Sequence, residues 1–251
     1  MSMKKTFYTL NKHRFAKSFC FAIVADLHGH DPSGVIDALQ EVSPDYILMP
    51  GDIFERLNGV DDTTHQNALR LLRESAAIAP TFFSGGNHED GAVRSWSPSW
   101  KRIEKERIYS QKDIDAIAES GAIFLQDSFV LKDGIAFGGL SSGLIRKGGA
   151  PNVGWLSEFS AVDAPKVLLC HHPEYYEPYL YQLPIDLIVS GHAHGGQWRI
   201  FGRGVFAPGQ GIFPKYTSGV HDDRFVISKG LKPSGKIPRI FNAPEVVFVK
   251  A

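Results

Sequence analysis

The chain has 251 residues, of which 43% are apolar and 22% are charged, and this composition excludes wholesale disorder. Lys plus Arg and Asp plus Glu both total 27, so the net charge predicts no nucleic-acid partner. The longest apolar run, from Phe19 to Ala25, is far shorter than the roughly 20 residues of a membrane-spanning helix. Because the residues before it contain no apolar signal segment, we expect a cytoplasmic protein.

Short apolar runs alternate with helical patterns through the first half of the chain. The runs FCFAIVA, YILMP and TFF are separated by SGVIDALQEV and TTHQNALRLLRESAAI, in which apolar residues recur at helical spacing. Two strands are predicted around Lys132-Asp133-Gly134, and KVLLC and DLIVS follow as two more buried strands. The alternation predicts an α/β protein with a buried parallel or mixed sheet.

The sequence contains no clear linker, so we expect one domain over residues 1–251, with an insertion or lid at about 91–111. Trp96 and Trp100 lie in that segment among Arg94, Lys101 and Arg102. They would form either a lid over an anionic or lipid-like substrate or a surface insertion that is held in place by its aromatic side chains. For the aromatic residues of the Gly-rich tail we weigh an acyl pocket and expect core packing instead: Phe201, Phe206 and Phe213.

Polar residues follow five of the apolar runs and are the candidate site residues. Ligands bind at the carboxyl ends of strands in open α/β sheets, so residues distant in sequence can converge there. Residues two apart on an extended chain point to one face, which would pair Asp26 with His28 and His192 with His194. The complete set is Asp26, His28, Asp52, Asn87, His88, His171, His192 and His194.

The chemistry of this set predicts metal binding. Imidazoles mixed with carboxylates and an amide oxygen favour Mn, Fe, Zn, Co or Ni over Mg. Seven of these eight residues are candidate ligands, which is more than one ion needs. Two divalent ions about 3.5–4 Å apart, bridged by a carboxylate, would use all seven and would suit hydrolysis of phosphate esters.

Five motifs, ADLHGH, GDIFE, GNHED, HHP and GHAHGGQ, resemble in content and order the sequence blocks of the calcineurin-like metallophosphoesterases. The tail GVFAPGQGIFPKYTSGVH is similar to that of a bacterial branch that includes UDP-2,3-diacylglucosamine pyrophosphatase-like and cell-wall-associated phosphodiesterases. The resemblance implies a four-layer sandwich of two mixed sheets flanked by helices. It also implies a phosphodiesterase or pyrophosphatase acting on a small-molecule or lipid-linked phosphate ester, with peripheral membrane contact and no protein partner indicated.

The resemblance assigns the ligands one by one. Asp26, His28 and His194 would hold one ion, Asn87, His171 and His192 the other, and Asp52 would bridge them. A hydroxide shared by the two ions would attack phosphorus. His88 would contact the phosphoryl oxygen or protonate the leaving group, oriented by Glu89 or Asp90.

Some positions leave alternatives open. The resemblance implies that the histidine two before proline in HHP is the ligand, which selects His171 and leaves His172 as the other candidate. His30 lies over the entrance or on a solvated loop. Ala25 stands where many relatives have Ser.

Two other function classes compete with the phosphoesterase. Gly139 to Gly143 fits G-x-S-x-G, which would make Ser141 the nucleophile of a serine hydrolase. That motif needs a helix directly after it, whereas a Gly- and Pro-rich stretch follows. The other class is a non-catalytic metal-binding scaffold on the same fold, and the complete ligand set argues against it.

Overall fold

The computed structural model describes residues 2–11, 13–55, 62–90, 92–94, 103–105, 111–143, 150–232 and 238–251. Two six-stranded sheets form the centre of the molecule. The first has the order β1-β18-β2-β3-β4-β7, with β1 (Lys4–Thr9), β2 (Cys20–Ile23), β3 (Tyr46–Met49), β4 (Thr81–Phe83), β7 (Ile123–Phe124) and β18 (Glu245–Lys250). It is mixed, because β18 runs antiparallel to β2 while the other neighbouring strands are parallel.

The second sheet has the order β16-β17-β11-β10-β9-β8, with β8 (Ser128–Lys132), β9 (Ile135–Leu140), β10 (Lys166–Cys170), β11 (Leu187–Ser190), β16 (Gly219–His221) and β17 (Phe225–Ile227). It is also mixed, with antiparallel strands at its two edges. Three small hairpins pair β5 (Ala92–Arg94) with β6 (Ile103–Lys105), β12 (Arg199–Ile200) with β13 (Arg203–Gly204), and β14 (Phe206–Ala207) with β15 (Gly211–Ile212).

Three apolar cores separate four layers. The helices α1 (Ser33–Val42), α2 (Thr63–Ile78) and α3 (Gln111–Glu119) cover the first sheet, and α4 (Leu156–Ala161) covers the second together with the helical turns at Pro173–Leu180. The middle core lies between the sheets, where the ring of Phe82 stacks on that of Phe137 at 3.9 Å between centroids. The α/β class and the four-layer sandwich of two mixed sheets are confirmed.

The alternation of side chains along β2 explains why this strand is apolar throughout. Phe21 and Ile23 face the core between the sheets, whereas Ala22 and Val24 face the helices. Successive side chains of a strand point to opposite sides, so a strand covered on both sides has no polar face.

The two strands predicted around residues 132–134 are β8 and β9, paired antiparallel with Lys132 opposite Ile135. Asp133 and Gly134 form the turn, and both have positive φ, at 52° and 78°. A two-residue hairpin turn with positive φ at both positions matches the right-handed twist of the strands.

Two expectations for loop segments have different outcomes. The core packing expected for three aromatic side chains of the tail is wrong: Phe201 and Phe213 are 102% and 73% exposed, and Phe206 is 39% exposed. They lie on or beside hairpins too short to have a buried face. The hairpin β5–β6 lies inside the segment predicted as a lid, but Trp96, Trp100, Lys101 and Arg102 fall outside the described residues. Among the helices described here, none has the length and apolar content to cross a bilayer.

Candidate metal centre

The loops after β2 and β3 run side by side beyond the ends of the strands. The backbone N–H of Asp26 donates to Gly51 O at 3.2 Å, and that of His28 donates to Asp52 O at 2.9 Å. The second sheet joins this edge through the N–H of His192, which donates to Asp26 Oδ1 at 3.0 Å. The carboxyl ends of strands from both sheets therefore meet in one buried crevice.

One group of potential ligands consists of Asp26, His28 and His194. A ligand atom of each lies within 4.8 Å of those of the other two, and all three residues are buried. His194 Nε2 is 3.7 Å from Asp26 Oδ1, and the ring of His28 stacks on that of His194 at 5.4 Å. These residues come from loops after β2 and β11, so the two sheets build the group together.

A second group consists of Asp52, His171 and His192, again with ligand atoms within 4.8 Å of one another. His171 Nε2 lies 3.2 Å from Asp52 Oδ2. Asn87 is buried in the loop after β4, next to Gly86, where an added Cβ would lie 2.8 Å from Asp52 N and 2.9 Å from His171 Cδ2. Asn87 therefore follows directly in the chain after a residue that contacts Asp52 and His171 of the second group.

Asp52 lies between the two groups. Its Oδ2 atom is 3.2 Å from His171 Nε2 on one side and 3.8 Å from His28 Nε2 on the other, while Oδ1 accepts the N–H of His88 at 2.9 Å. Burial works to raise the pKa of the Asp52 carboxyl, but His171, His88 and His28 hold it well below its usual value. Asp52 is thus within 4 Å of a candidate ligand from each group.

The backbone at these positions is strained. Non-glycine residues rarely adopt positive φ, and such conformations cluster at functional sites. Five candidate ligands have φ between 45° and 63°: Asp26, His28, Asp52, His192 and His194.

The pairs two residues apart are therefore not on extended chain. Asp26 and His28 do reach the same group, but His192 and His194 divide between the two groups. The spacing argument for the second pair is wrong, because left-handed residues turn the chain between them.

Hydrogen bonds orient the imidazoles from behind. Nδ1–H of His171 donates to Pro50 O at 2.8 Å, and Nδ1–H of His194 donates to Lys232 O at 2.7 Å. A carbonyl oxygen only accepts, so each ring carries a proton on Nδ1, and Nε2 is the nitrogen that lies near Asp52 in His171 and near Asp26 in His194. Metal-binding histidines in proteins are held in this way.

The residues fit divalent metal ions. Asp26 Oδ2 is buried and has no hydrogen-bond partner among the described residues, which is costly unless a cation neutralises it. Burial lowers the pKa of His194 to about 4, so this imidazole is neutral at pH 7, the form that binds metal. Carboxylates with neutral imidazoles are the donor set of Mn, Fe, Zn, Co or Ni.

A family model for calcineurin-like phosphoesterases matches residues 20–196, which include every candidate ligand. The chain belongs to the calcineurin-like phosphoesterase family. Members of this family typically bind divalent metals, and membership indicates metal-dependent hydrolysis of a phosphate ester by this chain.

Solved structures and curated proteins were also compared with this phosphoesterase. The structure of TT1561 of Thermus thermophilus is similar, at 12% identity and a TM-score of 0.44, over 70% of this chain and 82% of that chain. A second solved structure is similar at 13% identity and a TM-score of 0.34, over 70% of this chain and 68% of that chain. The search of curated proteins gives no significant match.

His88 of the phosphoesterase lies at the mouth of the crevice and is oriented by Glu55, not by Glu89 or Asp90. Its Nδ1–H donates to the backbone carbonyl of Glu55 at 2.6 Å, and its ring meets that of His28 edge-on at 4.4 Å between centroids. The side chain keeps 17% exposure, more than His28 or His171. Nδ1 is thus occupied, which leaves Nε2 as the ring nitrogen available to another partner.

Glu89 supports the loop that carries Asp52. The carboxylate is fully buried and accepts four backbone N–H groups: those of Asp52 and Gly86 on Oε2, at 2.9 and 2.7 Å, and those of Ile53 and Phe54 on Oε1, at 2.7 and 2.9 Å. Burial, together with the charge of Asp52, raises the pKa of Glu89 to about 7. Glu89 therefore positions the bridging carboxylate through the backbone.

His172, the alternative to His171, lies outside both groups. Its Nε2 is 2.7 Å from Ser142 Oγ, and its Nδ1 is 3.2 Å from Glu174 Oε1. Ser142, His172 and Glu174 are thus hydrogen-bonded in the order of the Ser-His-acid triad of serine hydrolases, but Ser142 is fully buried. Ser141, the serine that the motif selects, donates through Oγ to Asp127 at 2.9 Å instead. His30 is exposed, in agreement with a solvated loop.

Three supporting residues escaped the sequence analysis. Glu55 Oε2 lies 3.0 Å from His28 Nδ1 and accepts from Lys232 Nζ at 3.0 Å. Asn242 donates through Nδ2 to His194 O at 2.7 Å and fixes the turn of that ligand. Glu55 is the last residue of the GDIFE motif, and Asn242 lies in the tail segment PRIFNAPEV, which also resembles the bacterial branch, so both carried a signal, whereas Lys232 carried none.

Proposed function

We propose that this chain is a dinuclear metal-dependent phosphoesterase that hydrolyses a phosphodiester or pyrophosphate bond. The observation that carries the proposal is the position of Asp52 Oδ2, 3.2 Å from His171 Nε2 and 3.8 Å from His28 Nε2. Asp52 belongs to the second three-residue group, and its carboxylate also lies beside His28 of the first, which suits a pair of ions; membership of the family supports the reaction class. When bound, the two ions would activate a water molecule and neutralise charge on the phosphoryl oxygens.

The protein residues have separate tasks in this proposal. Asp26, His28 and His194 would hold one ion, Asn87, His171 and His192 the other, and Asp52 both. In its imidazolium form, with a proton on each ring nitrogen, His88 would donate from Nε2 to a phosphoryl oxygen or to the leaving-group oxygen while its Nδ1–H stays bound to Glu55 O. Nδ1–H then steadies the ring while Nε2 gives up its proton and regains it from water.

The proposed substrate class rests on the sequence resemblance of the tail. Residues 204–221 resemble the branch that acts on diester and pyrophosphate bonds, and we extend to this chain the expectation of a small-molecule or lipid-linked phosphate ester. Mn is the ion that we would test first, among Mn, Fe, Zn, Co and Ni, since metal availability outweighs intrinsic affinity in such sites.

Metal analysis and turnover together test the proposal. The protein is purified without chelator, its metal content is measured, and hydrolysis is followed with added Mn on a phosphomonoester, a chromogenic phosphodiester, a nucleoside diphosphate sugar and a lipid-linked pyrophosphate. We expect two ions per chain and preference for the diester or pyrophosphate bond. Asp52→Asn should lose metal and turnover together, while Asp163→Asn, the same change at an exposed position, should leave both intact.

The outcomes separate the competing functions. Two bound ions with no turnover on any substrate would favour the non-catalytic scaffold. Hydrolysis that survives removal of all metal would contradict the proposal outright. A preference for the monoester would keep the reaction class and refute the bond type.

A further inference from the structure

The hairpins that follow the last metal-binding turn form one exposed surface. Phe213 N–H donates to Val205 O at 2.8 Å, Val205 N–H to Trp198 O at 2.9 Å, and Arg199 N–H to Ile240 O at 3.0 Å, so β12–β13, β14–β15 and residues 240–241 lie side by side. We call the exposed apolar side chains of these segments the hairpin surface: Ile200, Phe201, Phe206, Ile212, Phe213 and Phe241.

The hairpin surface is unusually apolar for a surface in contact with water. Phe201 is 102% exposed in the turn of β12–β13, Phe241 is 81% exposed, and Ile212 and Phe213 are 74% and 73% exposed. Large apolar side chains exposed singly need no explanation, but a contiguous group of them marks an interaction site.

The charge around the hairpin surface is not neutral, although the whole chain is. Residues 195–244 contain eight Lys and Arg but only two acidic residues, Asp222 and Asp223. Arg203, opposite Ile200 in the β12–β13 hairpin, is exposed and has no ion pair among the described residues, whereas Lys215, two residues after Phe213, is exposed but pairs with Glu177 at 2.5 Å. The segment is therefore basic in sequence, and Arg203, unpaired in the described part of the chain, supplies a positive charge beside the apolar side chains.

We propose that the hairpin surface docks this protein on an anionic lipid membrane. Apolar side chains that project from hairpins can enter the acyl boundary, while flanking basic residues meet the lipid phosphates. Stacking with nucleic-acid bases would suit the phenylalanines but not Ile200 and Ile212, whereas a bilayer accepts both. Projecting tips also suit a fluid surface better than the closely matched faces of a protein interface.

Docking there would place the metal centre beside the membrane. The hairpins pack on the turn that contains His194: Arg199 Nη1 donates to Gly195 O at 2.8 Å, and Val205 N–H donates to Gly196 O at 3.1 Å. The inference concerns the surface alone and holds whether or not the centre hydrolyses a phosphate ester.

Vesicle binding tests the inference. The full chain is sedimented with vesicles of phosphatidylcholine alone and with vesicles of phosphatidylcholine and phosphatidylglycerol. We expect binding to the mixed vesicles, weakened at least about tenfold in Phe201→Ser/Phe213→Ser, because two large side chains no longer leave water. Arg203→Glu should weaken it about fivefold or more, and added salt should do the same.

Control variants test whether losing any exposed apolar side chain, or reversing any exposed charge, would weaken vesicle binding. Phe7→Ser and Leu131→Ser change side chains that are each 62% exposed but lie on other strands, and Arg73→Glu reverses an exposed charge on α2. None of the three should change vesicle binding. All variants should keep the turnover of a water-soluble chromogenic substrate, if the wild type has any, so a failed docking and a failed phosphoesterase assignment give different results.

Three results would overturn the inference. The first is no binding to the mixed vesicles. The second is binding that the Phe201→Ser/Phe213→Ser variant and its controls share equally. The third is evidence that the hairpin surface binds a different partner. Such evidence would be a dimer in solution that dissociates in the double variant, or a single-stranded oligonucleotide that displaces the vesicles.

Discussion

Glu55 Oε2 lies 3.0 Å from His28 Nδ1, so a carboxylate supports this candidate ligand from behind the crevice. The same oxygen accepts from Lys232 Nζ at 3.0 Å, and the backbone carbonyl of Lys232 orients His194. Burial works to raise the pKa of Glu55, yet the hydrogen bond and charge of His28, with His88 and Lys232, lower it to about 2. One ion pair therefore connects two ligands of the first group with the proposed acid, His88.

Glu55→Gln should weaken metal binding to the first group. The amide has the size of the carboxylate but lacks its charge, so His28 becomes a poorer ligand, and affinity for one of two ions should fall about 10- to 100-fold. Titration of the metal-free protein against a chromophoric chelator measures this. Glu41→Gln, on the exposed ion pair with Lys5, is the control. Equal affinities in the two variants would show that Glu55 does not tune the metal.

His88→Ala should separate turnover from metal content. A ring nitrogen of His88 lies within 4.8 Å of ligand atoms of His28 and Asp52, but both three-residue groups keep their members without it, so metal content should stay at the wild-type value. Turnover should fall about 10²- to 10⁴-fold, the usual contribution of a general acid. His30→Ala, an exposed histidine of the neighbouring loop, should be active. Loss of one ion in His88→Ala would make this residue a ligand instead.

The fold and most of the candidate site could be predicted because both depend on short-range patterns. Apolar runs such as 19–25 and 81–83 end in polar residues, and the strands they predict are neighbours, β2, β3 and β4, so their ends converge. His171 and His192 follow the neighbouring strands β10 and β11 of the other sheet. The convergence of the two sheets, through His192 N–H and Asp26, is a tertiary contact that came only from the family resemblance.

The remaining features depend on contacts that no local pattern encodes. The left-handed backbone at His192 and His194 sends them to different groups, which the two-residue spacing alone does not reveal. The strand β1 reads as a basic, mostly exposed segment, and it forms because Lys4–Thr9 pairs with the C-terminal strand, more than 200 residues away. Phe201 and Phe213 resemble core residues by type, but their hairpins have no layer above them.

Neither serine of the G-x-S-x-G segment should be a nucleophile. Ser141→Ala and Ser142→Ala should both retain turnover within a few-fold, because Ser141 Oγ is bound to Asp127 and Ser142 is fully buried. Ser142→Ala removes a buried hydrogen bond to His172 and should cost about 1–2 kcal/mol of stability. The assay is run with and without EDTA, which should abolish turnover in all three proteins. A Ser142→Ala variant that is folded and metal-loaded but inactive would instead support the serine hydrolase function.

His65 should make the fold less stable in acid. This residue of α2 is buried with its ring 4.9 Å from that of Phe54, and burial lowers its pKa despite the opposing charges of Asp113 and Asp62. The unfolded chain takes up a proton as the pH falls through about 6.5, while the folded chain resists it, so stability is fully present above that pH and declines below it. His65→Leu cannot titrate, and its free energy of unfolding should fall less than that of the wild type between about pH 7.5 and pH 5. Urea unfolding of both proteins in EDTA, which removes any contribution from metal release, measures the difference, and parallel pH profiles would show that His65 titrates alike in the folded and unfolded chain.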